Sequence, residues 1–381
     1  MHPTSTPRAV IIGGSLGGLF TALCLRAIGW HVDVFERSPQ ALDSRGGGLV
    51  LQPDVPDALG FAGAPLPEDF GVPSGGRIFV TRDGDVRRVY MPQTQIAWNG
   101  LYGHMREALG PRAVHAGETF LALRQHNARV TACFASGRTE TADLLVAADG
   151  PLSTVRAQLL PGAAPSYAGY AAWRGVLPES ALPDATRQLL HNTFAFEEGH
   201  GHQLLTYLIP GENGETAPGQ RRQNWVWYRP LPSGPARDAA LRDRVGHQHL
   251  HSLPPGVMRD GEIDGLRHAA LRDLAPNLAA LVTGTPDPFL QLIHDYEAPR
   301  MVFGRVVLTG DAAFVARPHT GAGAGKAAGN AVALGRALHA NRGGIDAALS
   351  QWERTQLPAG AQLVRWGMAL GTRIMGRHDA A

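Results

Sequence analysis

Apolar residues fall along the chain in two kinds of run, unbroken and alternating, and the two kinds occupy different parts of it. Ala9-Val10-Ile11-Ile12 is unbroken and predicts a buried strand; Gly17 to Ala27 has helical spacing and ends near Gly29; His31 to Glu36 predicts a second strand. The same order of signals returns twice. Asp143 to Ala148 predicts a strand running into an Asp149-Gly150 turn, with Ser153 and Arg156 just beyond, and Arg305 to Thr309 predicts a strand that ends in Gly310-Asp311. After the latter, Gly321-Ala322-Gly323 opens a helix whose apolar side is Ala327, Val332, Leu334 and Leu338.

The alternating kind lies in between. Arg77 to Val80, His202 to Ile209 and Gln223 to Arg229 read as strands separated by Gly, Pro and Asn turns, which predicts a mainly antiparallel sheet. Within Asn224 to Tyr228 the period of two puts Trp225 and Trp227 on one face, as ordinary sheet packing or as a pocket wall. From Ile345 to Arg373 the spacing of Leu349, Trp352, Leu357, Leu363, Trp366 and Met368 predicts helices packed on the body. The expected fold class is therefore α/β. A Rossmann-like dinucleotide-binding domain (1–72, 98–165 and 291–344) carries an inserted, mainly antiparallel β-sheet domain for substrate (73–97 and 166–290) and a C-terminal helical segment (345–381).

Composition narrows the partners. A formal net charge of +2, with no basic run, gives no footprint for nucleic acid. The 47 glycines and 28 prolines make up about a fifth of 381 residues, which suits many tight turns and falls short of low complexity. Only Cys24 and Cys133 occur, so no disulfide framework or metal cluster is expected. His247, His249 and His251, at spacing two in a polar, helix-like stretch, read as a solvated face. The uncharged run Ala9 to Leu25 falls short of the ~20 residues of a membrane span, and its glycines sit as a turn needs them. A soluble cytoplasmic protein with small-molecule partners, monomeric or homodimeric, is expected.

Between the first strand and its helix lies Gly13-Gly14-Ser15-Leu16-Gly17-Gly18, a G-x-S-x-x-G variant of the dinucleotide fingerprint. Glycines there permit a tight turn and close helix packing, so that a pyrophosphate can rest on the helix start. Ser15 stands where a second glycine is usual, and its hydroxyl can donate to phosphate. Glu36 follows Gly18 by 18 residues, at the end of the second strand, where a carboxylate accepts from both ribose hydroxyls and disfavours a 2′-phosphate. NAD and FAD both remain open at this point.

The three turns together, Gly13 to Gly18, Asp149-Gly150, and Gly310-Asp311 with Pro318 and its glycine-rich helix start, resemble the class A flavoprotein monooxygenases, the para-hydroxybenzoate hydroxylase-like group. Within that group, Arg45 to Pro53, Tyr167 to Tyr170 with Trp173 to Leu177, and Gly310 to Lys326 resemble the dihydroxypyridine hydroxylases, and the likeness runs over residues 8 to 365. The resemblance implies FAD, reduced transiently by NADPH or NADH, and reaction with molecular oxygen. It implies hydroxylation of a small electron-rich aromatic or N-heteroaromatic substrate through a flavin C4a-hydroperoxide. No second nucleotide fingerprint is visible for the nicotinamide.

By the same resemblance, Gly13, Ser15, Leu16 and Gly18 would hold the pyrophosphate end, Glu36, with Arg37 next to it, the adenosine ribose, and Asp311 the ribityl or pyrophosphate region. Arg45 and Gln52 lie on the segment resembling the family's mobile flavin contact, and Arg106 substitutes for an arginine that would fall near Gly103. Asp149 contacts flavin or only orders its turn; Arg156 contacts the cofactor or forms a surface ion pair. Pro318, Gly321, Ala322, Gly323 and Ala324 would flank the flavin, mainly through backbone amides. His319 is the candidate base, with a loop-fixing hydrogen bond as the alternative, and Gln52, Arg174 and Tyr207 are further catalytic candidates. Phe314 stands where the family has His, and Gly321 to Gly325 lacks the family's Gln and Asn. Those departures leave open a non-hydroxylating flavin-bearing binder or cyclase, and a flavin-dependent halogenase is a third reading.

Overall fold

The computed structural model describes residues 6–40, 42, 47–341 and 344–376. The unbroken apolar runs form a six-stranded sheet. Val306–Leu308, Leu144–Ala147, Arg8–Ile12, His31–Glu36 and Val114–Ala116 lie parallel in that order, and Val302–Phe303 adds an antiparallel edge. Helices Leu16–Ala27 and Gly323–Ala340 and a three-stranded sheet within residues 120–142 share one core with it, so Leu144–Ala147, Val306–Leu308 and residues 9–12 are buried throughout.

Register does the positioning. Ile12 pairs with Ala147 on one side and Phe35 on the other, and Ala147 pairs with Leu308. Four strands therefore end level, and Gly13, Glu36, Asp149 and Asp311, far apart in sequence, emerge along one edge roughly 15 Å long, three inter-strand spacings.

The second sheet is mainly antiparallel: Ser252–Leu253, Phe289–Glu297, Ser166–Pro178, Arg222–Pro230, His202–Ile209, Thr193–Gly199, Val72–Val80, Val86–Ala97 and Gly48–Val50 in that order. It reaches beyond 73–97 and 166–290, because Gly48–Val50 pairs with residues 95–97 and Phe289–Glu297 pairs along Ser166–Pro178. Trp225 and Trp227 settle as packing. Both are fully buried on the face covered by helices Asp260–Asp273 and Pro276–Thr283, with the Trp225 indole donating to Thr285 at 2.8 Å and that of Trp227 to His202 at 3.1 Å. The opposite face carries Tyr170, Leu205, Tyr207, Val226 and Tyr228.

The C-terminal pattern forms one helix, Ile345–Met375, that runs through Pro358. The stretch around His247 to His251 is not helical; it is closed by an Arg242–Gln248 bridge, and His249 pairs with Asp243 at 3.0 Å. Cys24 is buried, its thiol pushed up to about 12 by burial, which leaves it inert. Among the described residues, no helix is long and apolar enough to cross a membrane.

Candidate active site

Gly13 follows the first strand with φ +105°, and a Cβ there would stand 2.3 Å from the Ala148 carbonyl oxygen, so only glycine fits between the first and second turns. A Cβ at Gly18 would meet the Gly13 carbonyl oxygen at 1.9 Å, and the helix start therefore packs directly on its own turn. Ser15 caps that helix without spending its hydroxyl on the helix amides, so hydroxyl and first-turn N–H groups remain open to an anion. Glu36 accepts from the Gly14 amide through Oε2 at 2.8 Å and from the Ser38 amide through Oε1 at 2.8 Å. Each oxygen keeps a lone pair for a ribose hydroxyl.

These groups border a cleft of about 430 Å³. Of the residues expected at the cofactor, Gly13, Ser15, Leu16, Glu36, Arg37, Asp149, Asp311, Gly323 and Ala324 line it; Leu49, Trp98, Phe120 and Thr154 line it unforeseen. Gly18 lies behind the turn. Arg106 is not brought to the cleft: helix Trp98–Leu109 meets it with Trp98, and Arg106 lies about 12 Å further along the axis at 1.5 Å per residue. Arg45 lies outside the described residues.

Asp149 orders its turn by accepting from the Val155 amide at 3.1 Å, while its Oδ1 is buried without a partner among the described residues and burial pushes its carboxyl up. Arg156 is neither a surface ion pair nor a residue of the cleft lining. It is 2% exposed and donates to the Pro151 carbonyl at 2.6 Å and the Ala312 carbonyl at 3.0 Å, tying the second turn to the third. Asp311 accepts from Lys326 Nζ at 2.6 Å, and Lys326 also donates to the Phe314 carbonyl. Lys326 is the only lysine in the chain, and its side chain is 4% exposed. That singularity among so many arginines was a readable signal, since an ammonium fits a closed pocket that a guanidinium does not.

The large sheet supplies the other wall. Asn224 Oδ1 accepts from the Gly48 amide at 2.9 Å, and a Cβ at Gly48 would stand 2.2 Å from the Tyr207 ring, so the segment after Gly47 lies flat on the sheet. Leu49 of that segment lines the cofactor cleft, which joins cleft and sheet face. Arg174 Nη2 is 3.3 Å from where a Gly47 Cβ would be, and Tyr207 is buried, its phenol pushed up to about 12 by burial. Gln52 Nε2 reaches the Gly321 carbonyl at 3.4 Å, which links this segment to the loop of Pro318, Gly321 and Ala322. In that loop His319 Nε2 meets the Tyr170 hydroxyl at 2.8 Å, and the His319 ring lies 4.3 Å from that of Tyr228. All four expected catalytic residues thus border these two segments. Burial, then Arg317, push the His319 pKa down to about 3, so it is neutral and a poor base. Its Nδ1 and the Asn224 Nδ2 are buried without partners among the described residues. Tyr170 and Asn224 were not foreseen, because their roles depend on contacts made from distant segments.

A family described as FAD binding domain-like matches residues 167–295, most of the large sheet. The chain is 34% identical to the 2,6-dihydroxypyridine 3-monooxygenase of Paenarthrobacter nicotinovorans, over 94% of this chain and 89% of that protein. It belongs to the FAD-dependent aromatic-ring monooxygenases. The monooxygenase is also 28% identical to the 3-amino-4-hydroxybenzoate 2-monooxygenase of Streptomyces cremeus, over 94% of this chain and 85% of that one. Its fold matches the 2,6-dihydroxypyridine-3-hydroxylase of Arthrobacter nicotinovorans with a TM-score of 0.91 at 31% identity, covering 97% and 93% of the two chains. FAD is the cofactor, and the residues present fit it. The Ser15 hydroxyl and the first-turn amides of helix Leu16–Ala27 stay open to a pyrophosphate, each Glu36 oxygen keeps a lone pair for a ribose hydroxyl, and Asp149 Oδ1, without a partner among the described residues, is left for a donor.

Proposed function

We propose that this monooxygenase hydroxylates a hydroxyl-bearing, electron-rich ring of the N-heteroaromatic or phenolic kind, with electrons from NADPH or NADH and oxygen from O₂. One observation carries the choice: the sheet face beside the cleft combines the aromatic rings of Tyr170, Tyr207 and Tyr228 with two nitrogens buried without partners among the described residues, Asn224 Nδ2 and His319 Nδ1. Aromatic walls suit a planar ring, and buried polar groups reject a ring without polar substituents. The relatives named for a dihydroxypyridine and an aminohydroxybenzoate support a ring hydroxyl.

Bound FAD supplies acceptance of the nicotinamide's electrons and activation of oxygen. The chain's own groups bind and orient. In this reading the amides after Gly13, with the Ser15 hydroxyl, hold the pyrophosphate and Glu36 the adenosine ribose. Asp311, held by Lys326, faces the ribityl region, and the loop of Pro318 and Gly321 to Ala324 flanks the flavin ring. The start of helix Gly323–Ala340 offers backbone N–H groups where negative charge on the flavin is favoured. Tyr207 and Asn224 press the segment after Gly47 onto the sheet and keep water from the ring. Use of NAD(P)H and the free thiols of Cys24 and Cys133 support a cytoplasmic setting. Screening hydroxypyridines and hydroxybenzoates for stimulated NAD(P)H oxidation tests the reading, with ¹⁸O₂ as oxidant. The expected product carries one labelled atom; label arriving only from water, or no stimulated turnover with any ring, rules the proposal out.

A further inference from the structure

Four side chains form a buried polar chain that ends at the ring site. Asp295 accepts from Arg317, Nε at 3.0 Å and Nη2 at 2.7 Å, and both partners are largely buried. The Arg317 guanidinium lies beside the Tyr170 hydroxyl, since a Cβ at Gly371 would touch Arg317 Nη1 at 2.5 Å and the Tyr170 oxygen at 2.9 Å. The Tyr170 hydroxyl meets His319 Nε2 at 2.8 Å.

The Tyr170–His319 bond can run either way with the histidine tautomer, and the groups around it favour one direction. Arginine only donates, so Arg317 gives its N–H groups to Asp295 and sets its positive charge beside Tyr170, from whose hydroxyl it cannot accept. Tyr170 keeps its proton, because burial raises its phenol well above the ordinary value. That proton needs an acceptor, and the one in reach among the described residues is His319 Nε2. A neutral imidazole whose Nε2 accepts carries its hydrogen on Nδ1. The charged and titratable groups around the ring are Arg317, Tyr170 and Tyr228, none of which favours imidazolium. The Nδ1–H is therefore a buried donor without a partner among the described residues, and a buried donor calls for an acceptor.

We propose that His319 is not the base of this monooxygenase but a fixed hydrogen-bond donor, whose Nδ1–H binds an oxygen substituent of the ring substrate while Tyr170 locks the tautomer. His319 would be the catalytic residue that touches substrate, and Tyr170 a positioning residue acting through it. A donor there favours the ionised or keto oxygen that makes the ring nucleophilic, so it selects rings already carrying that oxygen. The inference rests on the ring-hydroxylation reading and deepens it.

¹⁵N NMR of the histidine-labelled FAD holoenzyme tests the donor state directly. The His319 signals are expected to show the neutral Nδ1–H tautomer unchanged from pH 5 to 9, and Tyr170→Phe is expected to mix the two tautomers. An Nε2–H tautomer, or titration near the ordinary histidine value, overturns the proposal. Adding 2,6-dihydroxypyridine is expected to move the Nδ1–H resonance; a resonance that moves on FAD loading and not on ring addition assigns the acceptor to the cofactor and also overturns it. In kinetics, His319→Leu is expected to raise KM for the ring roughly ten- to hundred-fold, the worth of a hydrogen bond to a charged acceptor. His319→Asn places an amide N–H near the Nδ1 position and is expected to recover more than His319→Gln, whose amide falls near Nε2. Wild type active on a ring with His319→Leu unchanged sinks the donor role and leaves the function standing. A wild type active on no ring fails the function, while the tautomer measurement still decides the donor.

Discussion

Replacing Glu36 by glutamine changes almost no volume, yet the geometry makes it costly. Both carboxylate oxygens face backbone N–H groups, Gly14 at 2.8 Å and Ser38 at 2.8 Å, so whichever way a glutamine amide turns, its NH₂ points at another donor. One charge-assisted bond is lost, about 1.5 kcal/mol at the low end that suits a half-buried group, and the other weakens to a neutral bond, about 0.7 kcal/mol. The apoprotein should lose roughly 2 kcal/mol on these terms, a shift of about 2–3 °C at ~2.1 cal/mol/K of unfolding entropy per residue over 381 residues. FAD affinity should fall further, because the ribose then meets a neutral amide with one acceptor fewer; ten- to hundred-fold is the range expected for a lost charged hydrogen bond. Fluorescence titration of stripped protein with FAD, with thermal melts of apo and holo forms, measures both numbers. A Glu36→Gln protein that melts and binds FAD like wild type would show that the carboxylate organises neither the turn nor the ribose.

Lys326→Met removes the charge that faces Asp311 and should loosen FAD by roughly tenfold, since a bare carboxylate then faces the cofactor; an unchanged dissociation constant means the cofactor does not sense Asp311. Trp225→Ala should cost about 3–5 kcal/mol in urea unfolding, because a fully buried indole and its bond to Thr285 are lost, while FAD affinity of the folded fraction stays near wild type. Loss of FAD without loss of stability would place that tryptophan at the cofactor after all. Glu197 is pushed up to about 7 by burial, against the Ala275 amide bonded to it, so the folded state holds its proton where the unfolded chain has released it. Stability is therefore expected to fall as pH rises from about 4.5 to 7, and Glu197→Gln should flatten that part of the melting-temperature profile; identical profiles for the two proteins refute the assignment.

The cofactor end of the site was readable because it is built by backbone. Glycines at 13 and 18, a strand-ending Glu36 and two acidic turns are spaced by strand and turn geometry, and parallel register brings them level. Burial on both sides of the parallel strands made their runs conspicuous. The ring end was readable only in part, because its contacts join segments more than a hundred residues apart. Tyr170 reaches His319, Gly48 reaches Asn224, and Arg156 reaches Ala312. Alternation told that Trp225 and Trp227 share a face but not which face meets helices. Proline removes a backbone bond from a helix, yet Ile345–Met375 runs through Pro358 as one helix where the spacing predicts helices.

The unusual residues of the third turn divide into two groups once their neighbours are known. Phe314 is fully buried, and a Cβ on Gly360 of the C-terminal helix would stand 2.2 Å from its ring, so the ring fills space that a glycine across the interface leaves open. Gly325 gives room to Gln52, whose Cβ would be 3.0 Å from an added Cβ, and Gly329 gives room to Asp54 in the same way. At each of these places a glycine leaves room for the side chain packed against it, so Phe314 and Gly325 are set by packing between segments. His319 and Lys326 are different in kind. Each is a polar group bonded to a named partner: Lys326, its side chain 4% exposed, holds Asp311 of the cleft lining, and His319, its Nδ1 buried, meets the Tyr170 hydroxyl. In the proposed function Lys326 secures the acid that faces the ribityl region and His319 presents a donor to a ring oxygen, so both arrangements serve ring hydroxylation.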